Sequence, residues 1–379
     1  MQLVKLALGH IRLGEPLAFA VRDAGGRLLL ARGQVLDDSA QVEALLARDA
    51  CVEAGEMQAL LLSRRQAAGA DDEPKRPDTI FTLWQGIVPQ LDALLRSLAE
   101  AGFATRADEL ARHIVSLIER DADIAIYLSV RPDARDLSNY GLTHAVHCAV
   151  IGLLMARRIG WDERRTLTLM KAALTMNLAA VELQSRLALQ GEPPTSAQRA
   201  TLRAHPQQAG ARLRAAGVDD SAWLQAIEQH HERADGSGYP QGLTQICEMA
   251  QALRLIDVFM AKISERSDRA PLALQLAARQ LSQEPGGSPA AAAIIKELGI
   301  YPPGALVQLA SGECAIVVRR GATATTPLVG CITDRNGAPI VDTPTRDTAE
   351  AAFAIVGTGA DKSLARRVLP ERFYGLPAA

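Results

Sequence analysis

From residue 80 to residue 263 the apolar residues of this chain recur with the period of a helix, and on both sides the pattern breaks into short runs separated by turn residues. Leu91, Leu94, Leu95 and Leu98 form one stripe, and Leu110, Ile114, Leu117 and Ile118 form a second. Val146, Val150, Leu153, Leu154 and Ile159 form a third along a helix predicted over 141–159. Stripes of this width bury helix against helix. Further helices are predicted over 164–178, Ser196–Leu213, Ala222–Gln229 and Leu253–Ile263, with a Gly-rich loop at 235–242. Ala and Leu dominate, and only 4% of residues are aromatic, which agrees with a mainly α protein. The expected fold is a helical bundle with small β-containing pieces at its N- and C-terminal ends.

The flanks carry strand and turn signals. Leu17–Val21, the turn Asp23-Ala24-Gly25-Gly26 and Arg27–Ala31 read as a hairpin, and a helical pattern with Val42, Leu45 and Leu46 begins near Asp37. We therefore place a small α/β domain at 1–68 and a polar, proline-bearing linker at 69–79. A helical segment over 80–137 ends near Arg131-Pro132-Asp133, and the chemically richest region spans 138–299. Tyr301-Pro302-Pro303-Gly304 opens a small β appendage over 300–357, with strands expected at Ala305–Leu309, Cys314–Val318, Leu328–Thr333 and Ala352–Val356 and a hairpin at Asn336-Gly337. A loose tail is expected over 358–379.

Bulk properties narrow the function. A net charge of −2 offers no basis for binding a nucleic acid polymer. The five cysteines (Cys51, Cys148, Cys247, Cys314 and Cys331) are dispersed with no CxxC pair, which fits a reducing compartment. No leader-like h-region and no apolar run of about 18 residues is present. A cytoplasmic location without a membrane span is the expectation.

Five of the seven histidines lie within 138–299. His113, beside the second stripe, reads as a packed or solvated helix residue. The string His230-His231-Glu232, followed by Asp235-Gly236-Ser237-Gly238-Tyr239-Pro240, is more specific. Adjacent imidazoles at a helix end can serve metal ions, and the glycines let the backbone turn sharply beside them. A bare His-His pair is also common on surfaces.

The whole string HHERADGSGYP resembles the signature of the HD-GYP family, and the resemblance extends over about 138–300. It implies an HD-type helical bundle. It also implies metal-dependent hydrolysis of cyclic di-GMP, in which paired ions, commonly iron or manganese, neutralise the phosphate and activate water. On this resemblance the metal ligands fall on His205, His230, His231 and Asp257, with His144 as an early ligand. The position of a third-metal glutamate is Tyr140. The segment that gives the family its name reads AALTMNLAA, so the His-Asp pair is replaced by Met176 and Asn177, and a substrate-contacting lysine by Ala180. Methionine is a poor ligand for iron(II) or manganese(II), and asparagine cannot bridge two dications as an anion.

The resemblance further places Arg266 and Arg269 as phosphate-gripping cations. The loop Asp235, Gly236, Gly238, Tyr239 and Pro240 becomes a contact for other signalling proteins, including GGDEF-type diguanylate cyclases, with Tyr239 as an exposed anchor. The expectation is a degenerate, non-catalytic signalling module that binds a protein partner, cyclic di-GMP, or both. It holds either no cofactor or one divalent metal ion at partial occupancy. Two alternatives stand beside it: a phosphodiesterase with residual or altered activity, and a structural scaffold that forms a homodimer through the helical segment 80–130.

Overall fold

The computed structural model describes residues 3–6, 10–11, 17–34, 36, 42, 45–46, 50–57, 60, 79–131, 137–284, 288–340, 343–359 and 368–376. The chain divides into two compact units, 1–77 and 78–379. The expected linker lies outside the described residues apart from Thr79. The helix expected from Asp37 also lies largely outside them.

In the first unit, β1 (Leu3–Lys5), β2 (Val21–Arg22), β3 (Leu28–Leu30) and β4 (Cys51–Glu53) form an antiparallel sheet in the order β1-β4-β2-β3. The expected hairpin is β2–β3. Its turn is held by the Asp23 carboxylate, which accepts hydrogen bonds from the amides of Gly25 and Arg27. Phe19, Val21 and Val52 are fully buried beneath it.

The second unit is helical. It contains α1 (Ile80–Gln85), α2 (Ile87–Arg96), α3 (Phe103–Arg120), α4 (Ala122–Val130), α5 (Tyr140–Arg158), α6 (Glu163–Thr175), α7 (Val181–Leu189), α8 (Ser196–Ala215), α9 (Ser221–Gln229), α10 (Glu248–Ile263), α11 (Leu274–Ser282) and α12 (Pro289–Leu298). Helix starts carry side-chain caps: Asp121, Asp162 and Asp220 accept from first-turn amides, and Thr195 forms a reciprocal box with Gln198. α5 is buried on almost every face and packs against α6, α7, α10 and α12. The two leucine-rich stripes of α2 and α3 enter the same core as α5, α6 and α10. The helices ahead of residue 138 and the bundle behind it are therefore one packed body.

α6 ends sooner than its apolar pattern suggests. The helix stops at Thr175, and 176–180 form turns in which the Ala180 amide donates to the Asn177 carbonyl at 2.7 Å. The Thr175 hydroxyl donates to the Lys171 carbonyl at 2.6 Å and accepts from the Trp223 indole at 2.9 Å. This ties the end of α6 to the start of α9 and sets Met176-Asn177 at a helix terminus rather than inside a helix.

A five-stranded antiparallel sheet follows, in the order β8-β7-β6-β5-β9, built from β5 (Leu306–Leu309), β6 (Cys314–Arg319), β7 (Leu328–Cys331), β8 (Thr345–Asp347) and β9 (Ile355–Thr358). The strand expected at Ala352–Val356 is displaced: 351–353 form a short 3-10 turn and β9 begins at Ile355. The loose tail is also corrected. Pro370–Phe373 form a short helix, α13, with Phe373 buried. The Tyr374 ring packs on Phe81 and Tyr127, and its hydroxyl donates to the Val318 carbonyl at 2.8 Å. Two aromatics with a polar handle suffice to dock a terminal segment, and 4% aromatic content concealed them.

Candidate metal centre

Proline inside a helix removes a donor, and α8 puts that loss to use. Pro206 has no N–H to give the Leu202 carbonyl one turn back. The Nδ1 of His205 takes that place at 2.6 Å. His230 caps the end of α9, where the last carbonyls have no helical donor, and its Nδ1 donates to the Ile227 carbonyl at 2.6 Å. A carbonyl only accepts, so each Nδ1 carries the proton and each Nε2 of the neutral ring presents a lone pair. Those two Nε2 atoms face each other at 3.3 Å.

Two lone pairs at that separation repel unless a cation stands with them. A proton is disfavoured. Burial first, then the neighbouring His230, push the His205 imidazole down to about 4. Burial also lowers His230, against the opposing pull of Asp257, and lowers His231 well below the ordinary range, helped by His230. One donor atom from each of His205, His230 and His231 lies within 4.8 Å of the others. Imidazoles anchored through Nδ1 to backbone carbonyls, with Nε2 free, have the arrangement of metal-ligating histidines. The residues fit a divalent transition-metal ion.

A second group adjoins the first. α5 supplies His144 and Cys148 one turn apart, and α10 supplies Asp257. His144 Nε2 lies 2.8 Å from Asp257 Oδ1 and 3.5 Å from Cys148 Sγ. Burial raises the Asp257 carboxyl, but the His144 hydrogen bond and the facing imidazoles of His144, His231 and His230 outweigh it and hold it below the usual carboxylate range. Burial pushes the Cys148 thiol well up, and Asp257 adds to this. Tyr140 stacks on His144 with ring centroids 5.6 Å apart, and burial moves its phenol up to about 12. Cys148 is the residue that reading the sequence missed: it was counted among dispersed cysteines, although its spacing of four from His144 puts both on one helix face.

α6 packs on α5 and α10, which bear His144, Cys148 and Asp257, and on α9, whose C-terminal end carries His230. At its end Met176 is fully buried and Asn177 is 1% exposed. The Asn177 Nδ2 has no hydrogen-bond partner among the described residues.

The Gly-rich loop closes over His231. Glu232 is buried, and its two oxygens accept from the amides of Gln241 at 2.8 Å and Leu243 at 3.0 Å. Gly238 lies so close to the Glu232–Arg233 backbone that an added Cβ would stand 2.4 Å from the Arg233 nitrogen. Gly236 takes a positive φ of 75°. Asp235 caps the turn by accepting from the Ser237 amide and hydroxyl. The expectation that Tyr239 is an exposed anchor is not met: its ring is half-buried and stacks on His231 at 4.5 Å, with the Arg203 guanidinium 5.3 Å from the ring centroid. Pro240 remains exposed next to it.

The two arginines are already engaged. Arg266 makes a two-point pair with Asp268 at 2.9 and 3.1 Å and lies over the Tyr140 ring, while Arg269 donates to the Ala261 carbonyl at 2.6 Å. Ala180 is buried at the start of α7. His113 pairs with Gln90 at 3.1 Å on the exposed face of α3, away from both ligand groups.

Residues 131–287 match the protein family described as HD domain. The cyclic di-GMP phosphodiesterase PA4108 of Pseudomonas aeruginosa is 26% identical over 237 residues, which cover 61% of this chain and 56% of that protein. The chain thus spans about half the length of the curated relative it matches. A solved structure of Bd1817, an HD-GYP-type protein from Bdellovibrio bacteriovorus, aligns with a TM-score of 0.48 at 15% identity, over 78% of this chain and 99% of that one. No helix among the described residues is long and apolar enough to cross a membrane.

Proposed function

We propose that this chain, a member of the HD-GYP family, is a cyclic di-GMP signalling module that works by binding rather than by hydrolysis. Its partners are cyclic di-GMP, a GGDEF-type protein, or both. One observation carries the reading: among the described residues no carboxylate belongs to both ligand groups. Asp257 Oδ1 is hydrogen-bonded to His144, and both oxygens of the neighbouring Glu232 accept from loop amides. Position 177, where the family resemblance implies the bridging aspartate, holds a neutral amide. Without a bridging anion two dications repel at close range, and hydrolysis across a metal pair has no platform.

A single divalent ion, iron or manganese, fits His205, His230 and His231, with Asp257 nearby as counter-charge. Such an ion would supply a fixed positive centre for a phosphate. The HHERADGSGYP loop, with Tyr239 stacked on His231, couples that centre to the surface at Pro240. Loading the site or filling the cleft is thereby felt on an exposed face that a partner protein can read.

The test is calorimetric titration of the metal-supplied chain with cyclic di-GMP, paired with capture of a purified GGDEF-domain protein. Binding of at least one of them, with the nucleotide recovered intact, is expected. Absence of both interactions would overturn the reading in favour of a structural scaffold.

A further inference from the structure

We propose that the cavity between α2, α7 and α8 is a binding site for a guanine nucleotide, separate from the imidazole group. Its volume is about 620 Å³, which suits a small-molecule ligand. None of His144, His205, His230, His231 and Asp257 lines it. Arg96 and its neighbours on α2 precede residues 131–287, which carry the family match. One wall therefore comes from a helix outside the matched domain.

The charged groups in the cavity are unevenly used. The guanidiniums of Arg96, Arg186 and Arg212 line it together with the carboxylates of Asp92 and Glu182. Arg96 is held by Asp92 at 2.8 Å, one turn away on the same helix. Arg186, Arg212 and Glu182 are exposed, and their charged groups have no hydrogen-bond or ion-pair partner among the described residues. Glu182 and Arg186 stand four residues apart on α7, the spacing at which opposite charges pair, yet they do not pair. Leu95, Leu142 and Leu183 give the cavity an apolar side.

These groups select a ligand. Two unpartnered guanidiniums call for an anion with paired oxygens, and phosphate meets a guanidinium two oxygens at a time. A bare phosphate is disfavoured because Glu182 repels it, so the ligand must also bring hydrogen-bond donors. The leucines require an apolar face as well. Guanine meets both demands. Its N1–H and exocyclic amino group are adjacent donors that match the two oxygens of one carboxylate. Adenine has an acceptor at N1 and would set a lone pair against Glu182. The base edge therefore lies on Glu182, the base face on the leucines, and the phosphate on Arg186 and Arg212. The site uses no residue of the imidazole group, so the two can fail separately.

The probe is 5′-GMP, titrated calorimetrically into the chelator-treated full-length chain, with 5′-AMP and inorganic phosphate as comparisons. GMP is expected to bind saturably and about tenfold tighter than either comparison, the discrimination that one well-matched base edge provides. The double variant R186A/R212A should weaken GMP binding by about tenfold or more, as two phosphate contacts are lost. E182A should erase the preference for GMP over AMP. All three positions are exposed, so these changes leave the core intact. H231A should bind GMP as the wild-type chain does. Failure of GMP to saturate, equal affinity for AMP or phosphate, or unchanged affinity in R186A/R212A overturns the site. Loss of GMP binding in H231A also overturns it, by placing the nucleotide at the imidazole group.

Discussion

Replacing His205 by glutamine should remove an acid-sensitive component of stability, and its size follows from the burial of the ring. In the fold the His205 imidazole titrates at about 4, against 6.5 for an ordinary histidine, because burial and the facing His230 oppose the charge. The unfolded chain therefore binds this proton more readily than the folded one. Stability is full above the unfolded value and is lost as pH falls from 6.5 toward 4. Between pH 7.5 and pH 5 this one group should cost about 2 kcal/mol, the linkage integral for those two pKa values. The assay is urea unfolding of the chelator-treated chain at both pH values, followed by tryptophan fluorescence. Trp84, Trp161 and Trp223 all lie in the 78–379 unit, so the signal reports on the body that holds the site. H205Q should show about 2 kcal/mol less acid loss than wild type. Equal pH slopes for the two chains would refute the idea that a buried, neutral imidazole faces His230. Saturating manganese should steepen the wild-type acid loss, because protons then compete with a bound ion.

Two further substitutions probe the parts that position the site. G238A forces a Cβ to 2.4 Å from the Arg233 backbone, and overpacking of that kind costs about 1–3 kcal/mol; tryptic cleavage after Arg233 should speed up accordingly, and an unchanged cleavage rate would show that the loop is not closed on Glu232. F373A should cost about 3–5 kcal/mol, because the ring is buried on Gly330 and Tyr127; a loss below about 1 kcal/mol would mean that the terminal segment does not dock.

How legible the site was depends on how each residue announces itself. His205, His230, His231, Asp257 and His144 all converge in the structure, and the string around Gly238 showed the loop because steric demands leave little choice of residue there. The role of Pro206 in freeing the Leu202 carbonyl for His205 is a helix-register effect, and it emerges only once α8 is seen to run through the proline. Cys148 was hidden because a cysteine in an apolar helix looks like any other small core residue. Tyr239 was misread because stacking on His231 depends on the path of the loop rather than on its composition. The helical core was readable from the leucine stripes, whereas β8 and the docked α13 are too short to carry a periodic pattern. The early stop of α6 at Thr175 coincides with a hydrogen bond from Trp223 on another helix, which no local pattern encodes.

The central claim is that this chain lacks a bridged two-metal centre and so does not turn over cyclic di-GMP. The most direct measurement is incubation of the purified full-length chain, prepared without oxygen and supplied with iron(II) or manganese(II), with cyclic di-GMP, followed by chromatographic quantitation of linear products. No product above the metal-only background is expected. Metal-dependent formation of linear product that disappears in H231A would contradict the account.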